Sequence, residues 1–227
     1  MLFRSAFVDI GDEKQAFVHY LDLGLYFNAF DEFVKRINPN SDNKGIYKHI
    51  KPGPILEKEG RIENVLTPGQ MIIVQSVKEP ISTKGSRLTA EISLAGRNIV
   101  LLPFAEKVSV SQKIASKEEK RRLETLVKSI LPKNYGAIIR TAAEGKNAAV
   151  LDAEVMSLVE KWENSWKKLA KSKDVQLLFT EYSKTTTILR DLLNDSFTNI
   201  YVNDETIYEE TRKYISLISP EQEKIVK

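Results

Sequence analysis

The chain has 227 residues, of which 42% are hydrophobic, 29% are charged and 8% are aromatic, and it contains no cysteine. This composition excludes intrinsic disorder, a disulfide scaffold and zinc sites built on cysteine. Thirty-four lysines and arginines against 31 acidic residues give a net charge of +3, which is too small to indicate a nucleic-acid partner without support from residue placement.

Targeting segments are not predicted. No apolar run approaches the ~18–20 residues needed to span a membrane. The first four residues lead directly into a strand-like pattern and are too short for a signal peptide. Together with the missing cysteines, these features favour a cytoplasmic location.

The N-terminal part of the chain predicts short strands, several turns and one aromatic helix. The predicted elements are strands at 5–10 and 15–20, a helix at 25–37 with Phe27, Phe30 and Phe33 spaced three apart, a flexible loop at 38–63, and strands at 71–77, 88–94 and 98–103. Five short strands with a glycine- and lysine-bearing loop at 78–86 fit a small Greek-key barrel of the OB type. Because no segment before the first strand is available to pair with it, we expect a partial barrel, as in a truncated protein.

After residue 115 the pattern changes to helices alternating with strands. Ser116 and Glu119 form a capping box that opens the first of these helices. The predicted elements are a helix at 116–130, a strand at 136–141, a loop at 142–146, an amphipathic helix at 151–169, strands at 175–179 and 199–202, and helices at 188–193 and from Asp204. The whole chain therefore predicts an α+β fold.

Most residue types that carry chemistry do not form a recognisable catalytic or metal pattern. His19 and His49 lack metal-ligand spacing, and no nucleophile–base–orienter set is present. Residues 145–146 lack the first glycine and the serine or threonine of a phosphate-binding loop. The acidic pair Asp152 and Glu154 is predicted to lie on a solvated helix face, because lysines lie nearby on the same helix.

Two local patterns indicate binding sites. Phe7 and Phe17 lie on paired strands beside Lys84, and exposed aromatics with a nearby lysine would stack bases and hold a phosphate. The alternative is that both rings belong to the barrel core. Arg140 and Thr141 at a strand end could bind an anion through a guanidinium fork and a hydroxyl, or Arg140 could be an ordinary surface residue.

Several motifs together resemble one known family. They are Ala6-Phe7-Val8-Asp9-Ile10-Gly11 with Ala16-Phe17-Val18, then Lys84-Gly85, Ile92-Ser93-Leu94-Ala95-Gly96-Arg97, Ile138-Ile139-Arg140-Thr141-Ala142, the Trp162 helix and Leu189-Arg190-Asp191. Their order and spacing resemble bacterial ribonuclease E/G, except in the 21–63 segment. The resemblance implies an OB-fold RNA-binding domain at 1–90, an α/β 5′-sensor subdomain at 91–183 and part of an RNase-H-like layer at 184–227.

The resemblance also implies individual roles. Arg140 and Thr141 match the side chains that hold a 5′-terminal phosphate, and Gly96 matches a residue whose backbone amide binds it. Val100 matches the apolar wall under the terminal base. The OB surface that grips RNA near the scissile bond corresponds to Phe7, Phe17 and Lys84.

By the same resemblance, the full-length protein is a magnesium-dependent endoribonuclease that cleaves single-stranded RNA in RNA processing and decay and forms a homo-oligomer. The family's catalytic domain would lie beyond Lys227, so we expect this chain to bind RNA with a 5′-monophosphate without cleaving it or holding magnesium. The alternatives are a stand-alone, non-catalytic OB-fold RNA-binding module and a metal-dependent enzyme that uses Asp9 and Asp12.

Overall fold

The computed structural model of the protein describes residues 4–37, 46–51, 53–82, 84–169, 174–181, 183–194 and 196–227. The chain divides into two compact units, Met1–Leu178 and Phe179–Lys227. The first unit contains two four-stranded sheets with helices, and the second is mainly helical. The α+β class predicted from the sequence is confirmed.

The first sheet consists of two antiparallel strand pairs, which are joined by a parallel pairing between the two central strands. Its strands are β1 (Ser5–Val8), β2 (Ala16–His19), β3 (Gln75–Lys78) and β4 (Arg87–Thr89). They lie in the order β1-β2-β4-β3, with β2 and β4 parallel and the outer pairs antiparallel. Within the described part of the chain the sheet is open, with β1 at one edge as expected.

The second sheet contains a strand that was predicted to belong to the OB-type barrel. Its strands are β5 (Leu94–Ala95), β6 (Ile99–Pro103), β7 (Val108–Val110) and β8 (Tyr135–Ile139). The order is β5-β6-β8-β7, and only the β7–β8 pair is parallel. The predicted strand at 98–103 pairs with β8 along its whole length, so the prediction of a five-stranded barrel that includes it is wrong. The predicted strand at 88–94 is also wrong, because it divides between the two sheets.

Two long helices accompany the second sheet. They are α3 (Lys117–Ile130) and α4 (Ala148–Leu169). The Ser116 side chain accepts a hydrogen bond from the Glu119 amide at 3.2 Å, which is the N-terminal cap that the sequence predicts. Leu151, Val155 and Trp162 of α4 are fully buried, so the predicted amphipathic stripe does face the interior.

The 21–63 segment forms much of the core of the first unit. It carries α1 (Phe27–Arg36) and α2 (Ile46–His49). Leu23, Phe27 and Ile62 pack under the first sheet with Val18 and Leu88. A flexible loop at 38–63 was expected; residues 38–45 lie outside the described residues, but the prediction is wrong for 46–51, where two apolar side chains are buried.

An aromatic cluster joins this segment to the second sheet. The rings of Phe30 and Phe104 meet edge-on at 4.8 Å, and Tyr47 stacks on Phe104 at 4.4 Å. Phe33 meets Trp166 of α4 edge-on at 5.7 Å. Aromatic pairs at these distances add to the free energy gained from burying their surface.

Asn134 fixes α2 to the turn before β8. Its Nδ2 donates to the carbonyls of Tyr47 at 2.9 Å and Ile50 at 3.0 Å. Its φ of +68° is unusual for a residue other than glycine, although asparagine tolerates this region better than most. The Tyr47 hydroxyl donates to the Asn134 carbonyl and accepts from the Phe104 amide, both at 2.9 Å.

The second unit contains α5 (Lys184–Leu192) and α6 (Glu205–Ile218), and its core includes Leu189, Tyr214 and Ile215. The strands predicted at 175–179 and 199–202 are wrong. The first has no regular secondary structure, and in the second Ile200 forms only an isolated bridge to Val226. Both segments are too short for periodicity to distinguish a strand from an extended connection.

We expect Asn134→Ala to lower the free energy of unfolding by roughly 1–3 kcal/mol, because it removes the donor from two buried carbonyls. Asn134→Gly relieves the positive φ but loses the same bonds, and it should also destabilise. Urea unfolding of both variants measures the effect, with the exposed Asn164→Ala as the control. Unchanged stability in both variants would show that this side chain does not hold α2 in place.

Candidate nucleic-acid interface

Phe7 and Phe17 face each other across the first two strands. They are paired in the β1–β2 register, so both side chains lie on the same face of the sheet. Their neighbours Ala6 and Val18 pack into the core on the other face. Phe7 is 75% exposed and Phe17 is half-buried. The alternative that both rings are core residues is therefore wrong for Phe7.

The loop that carries Lys84 is held against this pair. The Phe17 amide donates to the Ser86 carbonyl at 3.0 Å. A Cβ on Gly85 would lie 2.1 Å from the carbonyl oxygen of Gln15, so only glycine allows the loop to approach β2 this closely. Lys84 itself is exposed. The structure thus places Phe7 and Phe17 side by side and brings the loop that carries Lys84 next to the strand of Phe17.

Arg87 is a further cation on this surface that the sequence reasoning did not single out. It lies beside Phe17 in the parallel β2–β4 register. Its Nε and Nη2 donate to the two carboxylate oxygens of Asp22 at 2.9 and 3.0 Å, a bidentate arrangement that fixes the guanidinium plane. The alternation of buried Leu88 with polar neighbours could have identified Arg87 as outward-facing.

A second group of predicted site residues meets at one end of the second sheet. Val100 pairs with Ala95 on one side and with Ile138 on the other. Arg140 follows β8, and its amide donates to the Asn98 carbonyl at 2.8 Å. Its Nη1 donates to the Gly96 carbonyl at 3.0 Å, so the turn between β5 and β6 orients the guanidinium.

Thr141 and Gly96, the other two residues predicted to contact the phosphate, differ in whether the group expected to make that contact already has a partner within the turn. Thr141 follows Arg140 directly, is exposed and begins a 3-10 turn. The Gly96 amide donates to the Ile99 carbonyl at 2.8 Å within the turn. A role for that amide toward a phosphate stays a prediction, whereas the Gly96 carbonyl has a defined contact with Arg140.

Glu154 of α4 lies under the same turn. Its Oε1 accepts from the Arg97 amide at 2.5 Å and from the Asn98 amide at 3.1 Å, and its Oε2 accepts from the Asn98 amide at 3.1 Å. Burial raises the pKa of Glu154, while the amides and the charge of Arg140 act in the opposite direction. The prediction of a solvated helix face holds for exposed Asp152 but is wrong for Glu154.

The loop after Thr141 is fastened to α3. The Gly145 amide donates to Glu119 Oε1 at 2.8 Å, and Arg122 Nη2 donates to the Lys146 carbonyl at 3.0 Å. Glu119 and Arg122 also form a two-point ion pair at 2.6 and 2.7 Å. These contacts lower the pKa of Glu119 to about 2, the Arg122 guanidinium contributing most and the Gly145 amide next.

No group of three or more His, Cys, Asp or Glu residues among the described residues is arranged to hold a metal ion. Asp9 has a local role, because its Oδ1 accepts from the Gly11 amide at 2.9 Å and closes a turn. No magnesium site is assigned among the described residues. In the same part of the chain, no helix combines the length and apolarity required to cross a bilayer.

Comparison with known proteins identifies the family. The model of the Ribonuclease E/G family matches residues 93–227, which is more than half of the chain. The chain therefore belongs to the ribonuclease E/G family, as the sequence motifs indicated.

Individual relatives extend the likeness to the first sheet. Ribonuclease G of Haemophilus influenzae is 33% identical over 218 residues, covering 96% of this chain and 40% of that protein. Ribonuclease G of Escherichia coli K12 is 31% identical over 219 residues, with 96% and 41% covered. Ribonuclease E of a Nostoc species is 30% identical over 212 residues, with 93% and 27% covered. The chain thus spans about two fifths or less of the length of these relatives.

The contacts of Glu119 predict a pH dependence of stability. Its pKa falls from an ordinary 4.5 to about 2 in the folded protein, so its carboxylate stabilises the fold above the higher value and loses that effect as the pH falls toward the lower one. We expect Glu119→Gln to have a lower melting temperature than wild type at neutral pH. This difference in melting temperature should shrink as the pH is lowered. Thermal melting across that pH range measures this, and a constant difference would contradict it.

Proposed function

We propose that the chain is the RNA-recognition part of a ribonuclease E/G-type endoribonuclease, and that it binds single-stranded RNA carrying a 5′-monophosphate. The observation that carries the proposal is the exposed Phe7, which is paired directly with Phe17 on the strand that the Lys84 loop contacts. Stacking on aromatic rings beside cations is how proteins bind single strands without reading sequence.

In this proposal the outer face of the first sheet binds the RNA chain. Bases stack on Phe7 and on the accessible part of Phe17, and Lys84 neutralises a phosphate. Arg87 adds a second cation whose plane is already fixed by Asp22, so less side-chain entropy is lost when it meets the RNA. This assignment agrees with an OB-type origin for the first sheet, which we likewise propose.

The 5′-terminal phosphate is assigned to the end of the second sheet. Arg140 and Thr141 provide a guanidinium and a hydroxyl next to each other, a combination suited to a phosphate. Val100 lies beside them on the neighbouring strand and would contact the terminal base. The hydrogen bonds of Glu119 and Arg122 to Gly145 and Lys146 hold the loop that follows Thr141 in this site.

Hydrolysis is proposed for the whole protein, because the relatives are named ribonucleases. Magnesium dependence, homo-oligomer formation, a cytoplasmic location and a role in RNA processing and decay belong to the same proposal, as does the RNase-H-like nature of the second unit. No catalytic residue is assigned among the described residues.

The division between binding and cleavage is open to a direct test. We expect the 227-residue chain to bind 5′-monophosphorylated single-stranded RNA in the presence of magnesium and leave it intact. A version extended beyond Lys227 in its reading frame should cleave the same RNA. Cleavage by the 227-residue chain would contradict the assignment, and failure of the extended version to cleave would favour a stand-alone RNA-binding module.

We expect Arg140→Ala to weaken binding of RNA with a 5′-monophosphate by roughly 1.5–3 kcal/mol, because a charge-assisted hydrogen bond is lost. Binding of the same RNA with a 5′-hydroxyl should barely change. Fluorescence anisotropy with both RNAs measures this, with the exposed Arg121→Ala as a matched loss of charge. Equal losses on both RNAs would show that Arg140 is only a general phosphate contact.

Phe7→Ala should weaken single-stranded RNA binding by about 1–3 kcal/mol, since one stacking partner is removed. Because the ring is 75% exposed, the melting temperature should change little. Ile55→Ala removes an exposed apolar side chain elsewhere and serves as the control. A large loss of stability with unchanged binding by the folded fraction would refute the stacking role.

A further inference from the structure

We infer that Glu154 is the positioning residue of the 5′-phosphate site: its carboxylate holds the Gly96–Asn98 turn in the shape that orients Arg140. The inference rests on the proposed function, because it assigns the internal support of the same site. Glu154 itself makes no contact with the RNA in this assignment.

The carboxylate fits the turn closely. Both of its oxygens accept from backbone amides, with one oxygen reached by Arg97 and Asn98 and the other by Asn98 alone. A Cβ on Gly96 would lie 2.4 Å from Glu154 Oε1. Any larger residue at position 96 would therefore push the carboxylate away from the turn. Two amides directed at one carboxylate define the path of the turn.

The Gly96–Asn98 turn contacts Arg140 at two points. The Gly96 carbonyl accepts from Arg140 Nη1, and the Asn98 carbonyl accepts from the Arg140 amide. Both carbonyls belong to residues whose position depends on Glu154. A shift of the turn would therefore move the guanidinium, and misplacement of a binding group by about 1 Å is costly where recognition depends on geometry.

Loss of the Glu154 charge and loss of its hydrogen bonds to the turn should change RNA binding in opposite directions, so the inference can be tested. The negative charge of Glu154 interacts with Arg140, so removing it alone would strengthen general attraction to RNA. If Glu154 positions Arg140, removing it should instead weaken the response to the terminal phosphate. The ratio of affinities for 5′-monophosphate and 5′-hydroxyl RNA separates the two effects. The monophosphate carries additional negative charge, so loss of the Glu154 charge alone would raise the ratio, whereas loss of the positioning role would lower it.

The experiment measures this ratio for the 227-residue chain with one short single-stranded RNA in both 5′ forms. We expect Glu154→Ala to reduce the ratio about tenfold, the size expected when hydrogen bonds to a charged group are lost. Glu154→Gln keeps the side-chain length and one oxygen acceptor, so it should fall between Ala and wild type. Asp152→Ala, an exposed acid on the same helix, should match wild type.

Backbone amide resonances provide the structural readout. Those of Arg97 and Asn98 should shift in Glu154→Ala and recover partly in Glu154→Gln, while Asp152→Ala leaves them unchanged. If Glu154→Ala does not fold, Glu154→Gln alone decides the matter, and an unchanged ratio in that variant overturns the inference.

The outcomes distinguish the inference from the proposed function. If wild type prefers the 5′-monophosphate and both Glu154 variants keep the preference, only the positioning role is overturned. If affinity for both RNAs falls equally, Glu154 supports the fold without positioning Arg140, and the inference is again wrong. If wild type shows no preference, the 5′-phosphate site itself is refuted and the inference fails with it.

Discussion

The docking of the 21–63 segment is the constraint on which the first unit depends. Asn134 secures this segment to the second sheet through the carbonyl of Tyr47 in α2 and that of Ile50 just after it. Phe27 and Ile62 of the same segment fill the core under the first sheet. One stretch of chain therefore contributes to the packing of both sheets. Phe7, Phe17 and Arg87, which are proposed to bind RNA, lie on the sheet whose inner face this segment covers, so this binding surface and the core are built together.

Both proposed binding loci use the same physical arrangement. In each, a cation is oriented by acceptors that the fold supplies: Asp22 holds Arg87, and the Gly96 carbonyl holds Arg140. A guanidinium fixed in this way loses little further freedom when a phosphate arrives. Each locus also has an apolar partner for a base, Phe7 at one and Val100 at the other. In the proposed function, these are the two places where a base and a phosphate are bound side by side.

Much of this could be predicted from the sequence, and the failures have physical causes. Helices α3 and α4 were predictable because their apolar stripes and the Ser116 cap are local signals. The assignment of 98–103 to the first sheet failed because strand pairing is decided by distant contacts. The solvated position predicted for Glu154 was wrong because an acid on a helix that also carries lysines looks exposed. Only the tertiary structure places two backbone amides against it.

Gly96 and Glu154 also constrain how this site can change through evolution. The space that a side chain at position 96 would need is filled by the Glu154 carboxylate and by the carbonyl oxygen of Ile99. A substitution at 96 alone meets a steric clash, and one at 154 alone leaves amides without their acceptor. A change at 154 does not by itself make room at position 96, because the Ile99 carbonyl remains there, so we expect position 96 to stay glycine even in lineages where position 154 changes.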